Sequence, residues 1–166
     1  WRQTQALLSL WKDPIWQRCP VCEHSGESLD QSLYLQKLVG IDAAASEFDA
    51  LPEVFASVYE KIRRTLPDKC HFTFHAGEDF SHIISGLRAI YEAIQFLTLN
   101  DKDRIGHAVA LGVDYALWRE RIGNQIWIKQ GEWFDNLLFI YHLYREDHRE
   151  IPANIATDLN KYFSKV

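Results

Sequence analysis

The feature that most constrains this chain is a single pattern written three times: a short apolar run ending in a polar residue, a turn, and an amphipathic stripe. Leu38-Val39-Gly40-Ile41-Asp42-Ala43-Ala44 is the first run, and its apolar content suits a strand buried on both faces. Pro52 then stands where a first helical turn tolerates proline, and Val54, Phe55, Val58, Ile62 and Leu66 fall on one helical face before Pro67 stops the run. His71-Phe72-Thr73-Phe74-His75 is the second strand and Ala76-Gly77-Glu78-Asp79 its turn. Ile83, Ile84, Leu87, Ile90, Tyr91, Ile94 and Leu97 make the second stripe. Asn100 to Asp103 reads as a surface loop, Arg104-Ile105-Gly106-His107-Ala108 as a third strand, and the stretch from Tyr115 to Arg121 as a helix. The strand ends Asp42, His75 and His107 lie 33 and 32 positions apart. That is about one strand–helix unit, so right-handed crossovers make the strands parallel neighbours. Three polar side chains would then share the carboxyl rim of the sheet, where α/β proteins bind their ligands.

Around this repeat the organisation is simpler. Residues 1–37 read as an N-terminal helical and irregular insertion, and residues 38–166 as the α/β domain, finished by an aromatic helix from Glu132 to Asp147 and a weaker terminal one. The stripe from Trp133 to Tyr144 reads as core, with a homo-oligomer interface as the alternative. Lys and Arg number 18 against 23 Asp and Glu, a formal charge of −5. This balance argues against nucleic acid as partner without excluding it, and leans toward a small molecule. No apolar run approaches the roughly 18 to 20 residues of a membrane helix, and the first residues lack the layout of a signal peptide, so a cytoplasmic protein with no membrane partner is expected. Three cysteines are too few for a disulfide scaffold. Cys19, Cys22 and His24 could contribute to a small structural zinc site, or Cys19 and Cys22 could be two buried thiols. The start at Trp1 and the absence of methionine read as a fragment of a longer polypeptide.

The tetrad His75-Ala76-Gly77-Glu78 is where chemistry concentrates. A histidine at a strand end can offer a neutral ring nitrogen to a divalent metal, and the glycine lets the backbone turn so that a carboxylate faces the same cavity. With Gly40-Ile41-Asp42 before it, Gly86-Leu87-Arg88 and Glu92 after it, and then Asp103-Arg104-Ile105-Gly106-His107, the stretch from about 38 to 112 resembles the adenosine deaminase family, in a divergent prokaryotic branch. The resemblance implies a (β/α)8 TIM barrel of the metal-dependent hydrolase type, only part of it in this chain, and zinc-dependent hydrolytic deamination of adenosine or a related adenine nucleoside or nucleotide. By the same resemblance His75 is a zinc ligand, and Glu78 is the acid that protonates the purine ring. His107 positions and deprotonates the attacking water, and the segment holding Asp42 and Ala45 contacts the substrate. Zinc would bring the pKa of its water to about 7.

The departures define the alternative. A catalytic zinc takes three or more protein ligands, and this chain has neither the family's His-x-His pair nor its late aspartate. Ala45 stands where glycine is usual, and a full barrel takes about 250 residues. The second reading is therefore a non-catalytic, deaminase-like fragment or assembly module; on either reading the 166 residues are not expected to be active alone. The other zinc deaminase pattern is not met, because no cysteine follows His148-Arg149-Glu150.

Overall fold

The computed structural model describes residues 39–44, 46–65 and 70–164. The expected insertion over 1–37, with Cys19, Cys22 and His24, lies outside the described residues, as does Ala45. Three strands, β1 (Gly40–Ala43), β2 (His71–Ala76) and β3 (Arg104–His107), form one parallel sheet in the order β1-β2-β3. Helix α1 (Pro52–Thr65) crosses from β1 to β2, and α2 (Ile83–Phe96) from β2 to β3. Beyond β3 come α3 (Val109–Gly112), α4 (Tyr115–Ile122), α5 (Gln130–Glu146) and α6 (Ala153–Phe163).

This overturns the barrel. Closure needs eight strand–helix units. Here three strands build an open sheet, and the described chain after β3 continues only as helices and connections. The parallel pairing of the three repeats, by contrast, is as expected: Gly40 pairs with His71 and Asp42 with Thr73, while Thr73 pairs with Arg104 and His75 with Gly106.

Among the described residues the sheet is packed on one face. Along β2, Phe72, Phe74 and Ala76 are buried while His71, Thr73 and His75 alternate with them at intermediate exposure. Sequential strand order with right-handed crossovers sends α1 and α2 to the same side. There Tyr59, Ile62, Ile90, Ala93 and Leu97 join Phe72 and Phe74 in the core. Tyr59 stacks on Phe72 with centroids 4.4 Å apart, and Phe55 meets Phe74 edge-on at 5.5 Å. Such pairs add about 0.5–1.5 kcal/mol each to area burial. The first run is not buried on both faces: among the described residues β1 lies at the edge of the sheet, with Asp42 exposed and its neighbours half-buried. The stripe of α1 is rotated from the expected one, for Val54 is 63% exposed whereas Tyr59 is buried. Tyr59 can be buried because its hydroxyl donates to the Thr73 carbonyl at 3.2 Å.

Two polar clusters tie the outer elements on. The expected surface loop carries a fully buried side chain: Asp103 accepts from the amides of Phe72 (2.8 Å) and Asn100 (2.9 Å) and pairs with Arg63 at 2.8 Å. Burial alone would raise its pKa, but these amides and the guanidinium hold it below the ordinary carboxylate range. Between α2 and α5, fully buried Asn136 donates to the Ser85 hydroxyl at 2.8 Å and accepts from Arg88 Nε at 3.0 Å. Glu132 accepts from the hydroxyls of Ser81 and Ser85. The aromatics of α5 are correspondingly only half-buried, and its two buried residues are Asn136 and Leu137.

Candidate active site

Parallel pairing puts Asp42, Thr73 and His75 on the side of the sheet away from the two crossover helices, because paired residues point the same way and alternate residues repeat. Asp42 is one strand over from His75 and two residues short of it in register. Nε2 of His75 lies 3.2 Å and 3.3 Å from the two oxygens of the Asp42 carboxylate.

His75 needs a vacancy on its other flank. Its register partner is Gly106. A Cβ at that position would sit 2.8 Å from Cγ and Cδ2 of the His75 ring, a distance real contacts do not reach. The glycine of Arg104-Ile105-Gly106-His107 is thus the place where the imidazole leans over β3.

His107 would follow the pleat to the covered side, since its register partner Ala76 is buried there. Instead its φ is +59°, followed by +47° at Ala108. This left-handed backbone is accessible to histidine more than to most side chains. The imidazole meets His75 edge to face, at 4.9 Å between centroids and 63° between planes. Glu78 arrives through the same device. Gly77 has φ +79°, and a Cβ there would lie 2.4 Å from Ile90 Cδ1, so only glycine both takes the turn and lets α2 pack beneath it. The turn carries the Glu78 carboxylate to 3.2 Å from Nε2 of His107.

The four groups form one row: Asp42, His75, His107, Glu78. All are open to solvent, with side chains 52%, 24%, 46% and 48% exposed in that order. At such exposure ion pairs contribute little to stability, about 0–1 kcal/mol. What the row offers is two imidazole–carboxylate pairs, Asp42 with His75 and His107 with Glu78, set side by side where the rings meet edge to face.

A zinc centre needs three protein ligands around one point. Among the described residues no three His, Cys, Asp or Glu side chains are so grouped. The ring nitrogens a metal would use each face a carboxylate, Nε2 of His75 toward Asp42 and Nε2 of His107 toward Glu78. The described residues by themselves therefore do not fit a zinc centre.

Other polar and reactive side chains fall away from the row. Asp103, next to Arg104 in sequence, pairs with Arg63 of α1. Arg88 and Glu92 pair on α2 at 3.0 Å. Burial pushes the Glu92 carboxyl up, Arg88 opposing. His82 caps α2, its Nδ1 accepting from the Ile84 amide at 3.1 Å, and its ring meets Trp118 and Trp133 edge-on. Burial lowers the His82 pKa, with Glu132 opposing. Burial likewise pushes the Cys70 thiol up to about 11, an inert packed sulfur. One residue that sequence reasoning did not single out touches the row's backbone: Glu47, whose carboxylate accepts from the amides of Gly77 and Glu78. The signal that could have found it is an acid at the start of the turn leaving β1, opposite a glycine turn in the neighbouring strand.

The chain matches no protein-family profile, and no curated protein is similar enough to count as a relative. Among the described residues no helix is long and apolar enough to cross a membrane.

Proposed function

We propose that this chain carries the acid–base part of a zinc-dependent aminohydrolase that deaminates adenosine or a related adenine nucleoside or nucleotide, in the manner of the adenosine deaminase family. The observation that carries the reading is the pair of His107 and Glu78, 3.2 Å apart at the carboxyl ends of adjacent parallel strands, beside His75. In this reading Glu78 delivers a proton to a purine ring nitrogen. The His107 imidazole takes one from the water that attacks the neighbouring amino-bearing carbon and passes it to the amino nitrogen; the new hydroxyl returns its proton to Glu78 as the carbonyl forms, the C–N bond breaks and ammonia leaves. Asp42 holds the His75 ring by Nε2, so His75 would meet a zinc ion through its other ring nitrogen, and the remaining ligands would have to come from residues other than those described.

The test is ammonia release from adenosine and from adenosine monophosphate, by this chain and by any longer polypeptide containing it, each with zinc supplied. Turnover is lost in Glu78→Gln with bound zinc unchanged, and zinc itself is lost in His75→Ala. Full turnover in Glu78→Gln sinks the assignment. The absence of a three-ligand cluster among the described residues favours one competing reading, a deaminase-like module used for assembly or binding. It gains if no zinc-loaded form turns over either substrate.

A further inference from the structure

The turn that presents Glu78 is held from two sides. Because Gly77 sits at φ +79°, its own amide and that of Glu78 face the same way, a geometry suited to gripping an anion. Both are taken by one carboxylate: Glu47 Oε2 accepts from Gly77 N at 2.6 Å and Glu47 Oε1 from Glu78 N at 2.9 Å. Hydrogen bonds of this charge-assisted kind are roughly twice as strong as neutral ones. Glu47 opens the turn after β1, closed by the Asp49 amide on the Ser46 carbonyl at 3.1 Å. On the other side the Gly77 carbonyl accepts from Ala110 N at 2.8 Å, three residues past His107. The Gly77 peptide is thereby fixed to the segments that follow both outer strands. With the Glu78 nitrogen anchored, only the rotations of its own side chain separate that clamp from the 3.2 Å contact with His107 Nε2.

We propose that Glu47 is a positioning residue of this site: its carboxylate sets the backbone from which Glu78 reaches His107. The inference rests on the reading of Glu78 as the proton donor, and concerns a residue that touches neither ring. A carboxylate beside Nε2 selects the tautomer carrying its proton there, so the His107 ring reports whether Glu78 is in place.

The experiment is a long-range proton–nitrogen spectrum of the imidazoles in the folded, labelled chain, in alkaline buffer, for the wild type, Glu47→Ala, Glu47→Gln and Glu78→Ala. The wild-type His107 shows the proton on Nε2. Glu47→Ala moves its signals to those of Glu78→Ala, and added acetate, which can refill the clamp, moves them back. Glu47→Gln, with one acceptor oxygen left for two amides, falls between. In a turnover-competent form, Glu47→Ala lowers kcat by roughly 100-fold with KM changed by less than about twofold, as for a misplaced catalytic group. Wild-type His107 signals in Glu47→Gln overturn the proposal even if Glu47→Ala fails to fold. An unchanged kcat in Glu47→Ala overturns it while leaving the deaminase reading intact. Conversely, the spectral switch in a protein that deaminates nothing keeps the clamp and removes the deaminase reading.

Discussion

The rings of His75 and His107 meet edge to face, 4.9 Å between centroids, across a residue with no side chain. Gly106 is the spacer, and substitution there is informative. Gly106→Ala forces a methyl to 2.8 Å from the His75 ring and so displaces it. We expect a stability loss of about 1–3 kcal/mol, typical of overpacking, read by urea denaturation. The ring protons of His107 should shift with it. Unchanged ring signals would show that the two imidazoles are not held by this contact.

The buried carboxylate of Asp103 predicts an acid limit. Its folded pKa is depressed, so it contributes stability that is complete above its unfolded value of about 3.9 and is lost as pH falls through the lower folded value. Asp103→Ala removes the partner of Arg63 and of two amides, and should cost about 3 kcal/mol at neutral pH. The variant's loss of stability on acidification, followed by denaturant midpoints, should be shallower than that of the wild type.

His82 predicts a second, milder pH effect. Its Nδ1 must stay unprotonated to accept from the Ile84 amide, and burial lowers its pKa. The folded state therefore binds fewer protons than the unfolded one, and stability declines as pH falls below about 6.5. His82→Asn keeps a capping oxygen and carries no titrating group. Its melting temperature should be flat over the range where that of the wild type drops. A parallel drop in both would assign the effect elsewhere.

Asn136 is the joint between α2 and α5. It is fully buried, and truncation leaves the Ser85 hydroxyl and Arg88 Nε each without that partner. Asn136→Ala should cost about 2–3 kcal/mol. Amide exchange should quicken in α5 and α6 while β2 stays protected; uniform quickening would mean that the helices and sheet open as one unit.

What was readable in the chain before its structure follows from where the physics is local. Alternation in His71-Phe72-Thr73-Phe74-His75 and the glycine in the following turn depend on neighbouring residues, and strand, turn and parallel pairing came out as expected. Apolarity alone misplaces the stripe of α1 at Val54 and Tyr59, because a hydroxyl that finds the Thr73 carbonyl can be buried like an apolar group. Asp103 is hidden for a related reason: an acid in a polar tetrapeptide reads as solvated, whereas two amides and Arg63 converge on it. His107 was assigned to the rim, yet the pleat alone sends it to the wrong side. A left-handed φ, invisible to periodicity, brings it to His75. The barrel was an inference from likeness and not from residues, and three strands in an open sheet do not close one.

Strand β2 divides its labour residue by residue, with Phe72 and Phe74 facing the helices and Thr73 and His75 facing away. Substitutions on the second set leave the packed layer untouched, so selection can rework reactivity without renegotiating foldability.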